Sequence, residues 1–122
     1  MHTIQMKRVY EAPDDSDGYR NLVDRLWPRG VKKEDLPYDE WPKNIPPSHE
    51  IRKKFNHEEE KFAQFKTNYL HELSENEAAD DFIETIADEA ENQNVTLLYA
   101  AKDPEINHVM ILKDWLEHQL AN

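Results

Sequence analysis

The run Val95-Thr96-Leu97-Leu98-Tyr99-Ala100-Ala101 is nearly unbroken in apolar character and includes β-branched and aromatic side chains. A strand wet on one face alternates apolar with polar, so a run without alternation reads as a central strand covered on both faces. Such strands sit in parallel sheets, whose neighbours must be joined by crossovers. The rest of the chain has to supply flanking strands and the segments that cover them.

Thr3 to Tyr10 alternates loosely through Ile4, Met6 and Val9 and predicts a first strand. Pro13 to Gly18 is turn-rich, and Tyr19 to Asp24 predicts a second, more buried strand. Five prolines (Pro28, Pro37, Pro42, Pro46 and Pro47) then exclude regular helix, leaving room for a short edge strand near Tyr38 to Trp41. Ser48 caps a short helix running through Ile51 and Phe55. Phe62, Phe65, Tyr69 and Leu73 place an amphipathic helix over 58–73. Ser74-Glu75-Asn76-Glu77 has capping-box spacing before the stripe Ala78, Ala79, Phe82, Ile83, Ile86, Ala87 and Ala90. Asp103-Pro104 reads as the start of a last helix lined by Ile106, Val109, Met110, Leu112, Leu116 and Leu120. The expected fold is α/β: one domain over 1–122, a small three-layer sandwich with a mostly parallel central sheet. Residues 48–91 form its helix-rich crossover.

The net charge is −11, but it is unevenly spread. Residues 1–54 hold eleven Lys/Arg and ten Asp/Glu, a net of +1, and include all five arginines. Residues 55–122 hold four Lys/Arg and sixteen Asp/Glu, a net of −12. An acidic body repels polyanions, so broad binding to nucleic acid is disfavoured, while a local basic mouth for one small anion is allowed. The chain has no cysteine, which removes disulfides and thiol chemistry. No apolar run is long enough to span a membrane, and the N-terminus lacks an apolar leader, so a cytoplasmic location is expected.

In open parallel sheets, ligands gather beyond the carboxyl ends of the strands. The first such end is Asp24-Arg25-Leu26-Trp27-Pro28-Arg29-Gly30; the second is Ala101-Lys102-Asp103, leading to Asn107 and His108. If both strands point the same way, Arg25, Arg29, Lys102, Asn107 and His108 converge beside a helix N-terminus as an anion receptor. Asp24 and His108 are the candidate catalytic pair, with Tyr19 and Trp27 as walls of the pocket. Each also has a structural reading: an Asp24–Arg25 pair at a tight turn, a core Trp27, a loop-bonding His108. The six histidines show no i,i+4 pair on one helix, and no metal site or cofactor is expected. No Walker loop, GxGxxG or GxSxG motif occurs.

Taken together, Arg8-Val9-Tyr10, Asp17-Gly18-Tyr19-Arg20, Leu22 through Gly30 and Pro47-Ser48 through Arg52 carry a family resemblance. Phe55-Asn56-His57, Val95 through Asp103 and Asn107-His108 extend it over nearly the full length. The chain resembles the YeaO-like branch of domain of unknown function family 488. The resemblance implies an α/β fold and a cytoplasmic protein, but no reaction. Other branches carry a cysteine–histidine–arginine run where this chain has Asn107-His108-Val109, so their thiol chemistry has no counterpart here. Asn56 stands where the branch often has glycine, and asparagine tolerates the left-handed conformation such a turn needs.

Three functions follow. The leading one is binding of a small anionic, phosphate- or nucleotide-like ligand at the strand ends, with acid/base catalysis by Asp24 and His108 as an extension. The second is the same receptor as a non-catalytic binding or sensing module. The third is a single-stranded nucleic-acid accessory using Arg25, Arg29, Lys32 and Lys33, with Trp27 and Trp41 for stacking. Arg52, Lys53, Lys54 and His57 are left without a role, as is the oligomeric state.

Overall fold

The structure, a computed structural model, describes residues 2–121. The expected domain limits, Met1 and Asn122, lie outside the described residues. Three parallel strands, β1 (Ile4–Arg8), β2 (Tyr19–Leu22) and β3 (Val95–Tyr99), form a sheet in the order β1-β3-β2. Every residue of β3 is buried, as its composition demands. Ile4 and Tyr19 both stand opposite Val95, so the flanking strands start level and all three carboxyl ends emerge together.

The crossover from β2 to β3 contains α1 (His49–Phe55), α2 (Phe62–Glu75) and α3 (Glu77–Ala90), and α4 (His108–Leu120) follows β3. Val95, Leu97 and Tyr99 pack with Phe65, Tyr69, Ile86, Val109, Leu112 and Leu116 in the larger core, beneath the helices. Leu98 packs on the other face with Val9, Leu22 and Leu36. That second cover is irregular chain: Trp27, Tyr38 and Trp41 meet edge-on, with ring centroids 5.5–6.5 Å apart. Such aromatic pairs contribute about 0.5–1.5 kcal/mol each beyond area burial. Both faces are thus covered, one by helices and one by the proline-rich segment. Among the described residues no helix is long and apolar enough to cross a membrane.

Some local expectations are corrected. The edge strand expected at Tyr38 to Trp41 is a single bridge, Asn21 to Glu40, because Pro37 and Pro42 bracket it and donate nothing to a ladder. α2 starts at Phe62, after a 3₁₀ turn over Glu59–Lys61. Asn76, not Ser74, caps α3 by accepting from Ala78 N–H, while the Ser74 hydroxyl bonds back to the His71 carbonyl. The last helix begins at His108, not after Asp103. The Asp103 carboxylate closes a turn by accepting from the N–H groups of Glu105 and Ile106. Asn107 then caps α4, accepting from Val109 and Met110 N–H at 2.8 and 3.0 Å.

Candidate functional site

A cleft of about 380 Å³ opens at the carboxyl ends of β2 and β3. The level start of the strands brings Val23-Asp24 beside Ala100-Ala101. Val23 N–H donates to Leu98 O at 3.0 Å, and Ala100 N–H donates to Asp24 Oδ2 at 2.9 Å. Asp24 therefore ends the ladder with its side chain, which is why β2 stops at Leu22 and not at Asp24.

His108, the first residue of α4, faces this pair. Its Nε2 lies 2.7 Å from the Val23 carbonyl and 3.5 Å from Asp24 Oδ1. A carbonyl only accepts, so Nε2 carries the proton. Burial pushes the His108 pKa below its ordinary 6.5, overriding the pull of Asp24 and the Val23 carbonyl, and the Arg52 charge acts in the same downward direction. Burial likewise raises the Asp24 carboxyl, against the opposing influence of His108, the Ala100 N–H and Arg52. The imidazole is held neutral, with its proton committed to the backbone.

The arginines divide sharply. Arg25 donates from Nε to Pro47 O at 3.1 Å and from Nη2 to Pro46 O at 2.7 Å, fixing the chain that enters α1. Arg29 is exposed, lines the cleft and makes no side-chain hydrogen bond or ion pair among the described residues. Arg52 lines the cleft from α1 with its Nε buried and unpartnered. Trp27 also lines it, but its indole N–H donates to Val31 O at 2.6 Å. The Trp41 indole supports the site from behind, donating to Asp24 O at 2.8 Å.

Asp24, Arg25, Trp27, Arg29, Asn107 and His108 thus share one hollow. Asn107 faces it as a buried helix cap whose side chain is already engaged on both ends, so the α4 N-terminus is not a free set of donors. Two expected members lie elsewhere. Lys102 is exposed and does not line the cleft. Tyr19 sits at the opposite, amino-terminal end of β2, where its hydroxyl bonds Glu40 Oε1 at 2.9 Å.

The chain belongs to the inactive DUF488-N3 subclade. The model of that subclade matches residues 3–122. The uncharacterized protein YeaO of Escherichia coli (strain K12) is 52% identical over 113 residues, covering 93% of this chain and 96% of YeaO. The uncharacterized proteins Mb3100c of Mycobacterium bovis and Rv3073c of Mycobacterium tuberculosis are each 41% identical over 75 residues, 62% of this chain and 64% of theirs. No solved structure matches the chain.

For this subclade member, the sequence left unassigned two groups that the fold carries into the cleft: Arg52 and His57. Arg52 was legible in part, since it follows buried Ile51 and precedes buried Phe55 by three, at the margin of the α1 stripe. Lys53 and Lys54 face solvent. Nothing in the periodicity pointed to His57, which follows the helix in a turn. The apolar side of the cleft includes Phe55, Phe65 and Ile106.

Proposed function

We propose that this protein binds a small anion bearing an apolar body, in the cleft beyond β2 and β3, without turning it over. The carrying observation is the local charge: Arg25, Arg29 and Arg52 line the cleft against one carboxylate, Asp24, in a chain of net charge −11. Guanidinium groups suit phosphate and carboxylate geometry. Trp27, Phe55, Phe65 and Ile106 supply an apolar wall, and a cleft of this volume exceeds what a bare phosphate ion fills. Asp24 and His108 are committed to Ala100 N–H and the Val23 carbonyl, which favours binding over proton transfer. The subclade's description as inactive agrees with that reading. The single-strand reading has less support, because Trp27 and Trp41 pack edge-on against each other and not as open stacking platforms.

The test is thermal-shift screening with inorganic phosphate, phenyl phosphate and benzoate, alongside a labelled oligonucleotide. A ligand at ~100 times its Kd adds about 2.7 kcal/mol, a rise of roughly 10 °C for a domain of this size. Phenyl phosphate is expected to outperform inorganic phosphate, and Arg29→Ala and Arg52→Ala are each expected to weaken it. If none of the anions shifts the midpoint at millimolar concentration, the proposal fails.

A further inference from the structure

α1 ends in a tight turn whose geometry is unfavourable for its sequence. Glu58 N–H donates to Phe55 O at 2.9 Å, and the two residues between them, Asn56 and His57, have φ of 46° and 57°. Positive φ at both central positions is the requirement of a type I′ turn. Asparagine followed by glycine is the relaxed pairing there. Asn56 meets its half, serving also as the left-handed C-cap whose N–H returns to Arg52 O. His57 occupies the place where glycine would be unstrained. The other glycine-like positions behave differently: Gly18 and Gly30, the two glycines of the chain, both sit at positive φ.

Histidine enters the left-handed region more readily than most residues, but such positions still cost energy and cluster at ligand sites. Packing offsets part of that cost, since the His57 ring lies 6.0 Å from Phe55, tilted by 47°, but the residue is exposed and only one face of its ring is engaged this way. Its other observed property is that it lines the cleft, in the turn that follows the helix carrying Arg52. We infer that His57 is a ligand-contacting residue, held over the cleft by a strained turn so that its imidazole meets the anion beside Arg29 and Arg52. This rests on the anion-binding reading above. It adds a specific claim: the turn trades fold stability for affinity at one position.

The test compares His57→Gly, His57→Asn and Asn56→Gly with the parent chain, measuring melting temperature and the Kd for phenyl phosphate. His57→Gly is expected to raise the melting temperature by about 2–4 °C and to weaken phenyl phosphate by about tenfold or more. His57→Asn keeps a donor and tolerates the left-handed region, and should recover part of the affinity. Asn56→Gly retains His57 and should bind as the parent does. Parent-like affinity in His57→Gly overturns the inference while leaving the anion site intact, as does a fall in its melting temperature or a loss of affinity in Asn56→Gly. If the parent chain binds none of the anions, the cleft reading fails and this inference with it.

Discussion

Replacing Arg25 by alanine separates a structural arginine from a ligand arginine. Two of its guanidinium nitrogens donate to the carbonyls of Pro46 and Pro47, at 2.7 and 3.1 Å. Both prolines are buried and immediately precede the α1 cap Ser48, so these carbonyls have little access to water once the arginine is gone. A hydrogen bond to a charged donor contributes about 1.5–3 kcal/mol, and an abandoned buried acceptor costs about 1–3. Arg25 is only half-buried, which discounts the pair toward the lower end, to about 3 kcal/mol in all. At roughly 2.1 cal/mol/K of unfolding entropy per residue, that is a melting-point loss on the order of 12 °C. Arg25→Lys keeps the charge but lacks the planar fork, and should recover less than half. Urea unfolding followed by tryptophan fluorescence measures this directly, with Arg29→Ala as the reference, expected within about 0.5 kcal/mol of the parent. If Arg25→Ala melts within 3 °C (about 0.8 kcal/mol) of the parent, its bonds to the proline carbonyls are not what holds the cleft wall.

His108 gives a pH signature. Its folded pKa lies below 6.5, so between those values the unfolded chain takes up a proton that the folded chain refuses, and stability falls as the pH drops below about 6.5. His108→Gln should flatten that part of the profile in denaturant titrations from about pH 5 to 7; an unchanged slope would mean that another group titrates there. The two glycines should differ in substitution. A Cβ on Gly18 would lie 2.0 Å from Asn94 O, the carbonyl that receives Tyr19 N–H as β2 begins, whereas Gly30 has nothing within 4 Å. Gly18→Ala is expected to cost more than about 3 kcal/mol and Gly30→Ala about 1–2; equal costs would refute the close approach.

The parallel sheet was legible because Val95 to Tyr99 leaves only one arrangement that covers both faces, and the strand ends then located the cleft. The identity of the cover was not legible. A proline-rich segment announces the absence of helix, yet nothing local says that Trp27 and Trp41 will pack on the Leu98 cluster with Tyr38 edge-on to both. The start of α4 was misplaced because Asp103 and Asn107 are both good caps four residues apart, and the tertiary fit chose the second. Tyr19 was drawn into the site by its neighbours in sequence, although the far end of a four-residue strand is still the far end. His57 was invisible for a different reason. Its position depends on a left-handed turn, and side-chain periodicity carries no information about the sign of φ.

The arginines show how the fold resolves an ambiguity that composition leaves open. All five lie in the first 54 residues, where chain without ladders must still satisfy its carbonyls. Arg8 donates to the carbonyls of Ala100 and Ala101, and Arg20 to Pro37 O and the Asp17 carboxylate. Arg25 serves Pro46 and Pro47 in the same manner. Three guanidinium forks thus stand in for missing secondary structure around the sheet. Arg29 and Arg52 have no such duty, and both line the cleft. On the anion-binding proposal, a positive charge left uncommitted beside Asp24 and His108, in a molecule of net charge −11, favours a small anion that can enter the cleft over a polyanion that the net charge repels. Selectivity on this account comes from where the negative charges are as much as from where the positive ones converge.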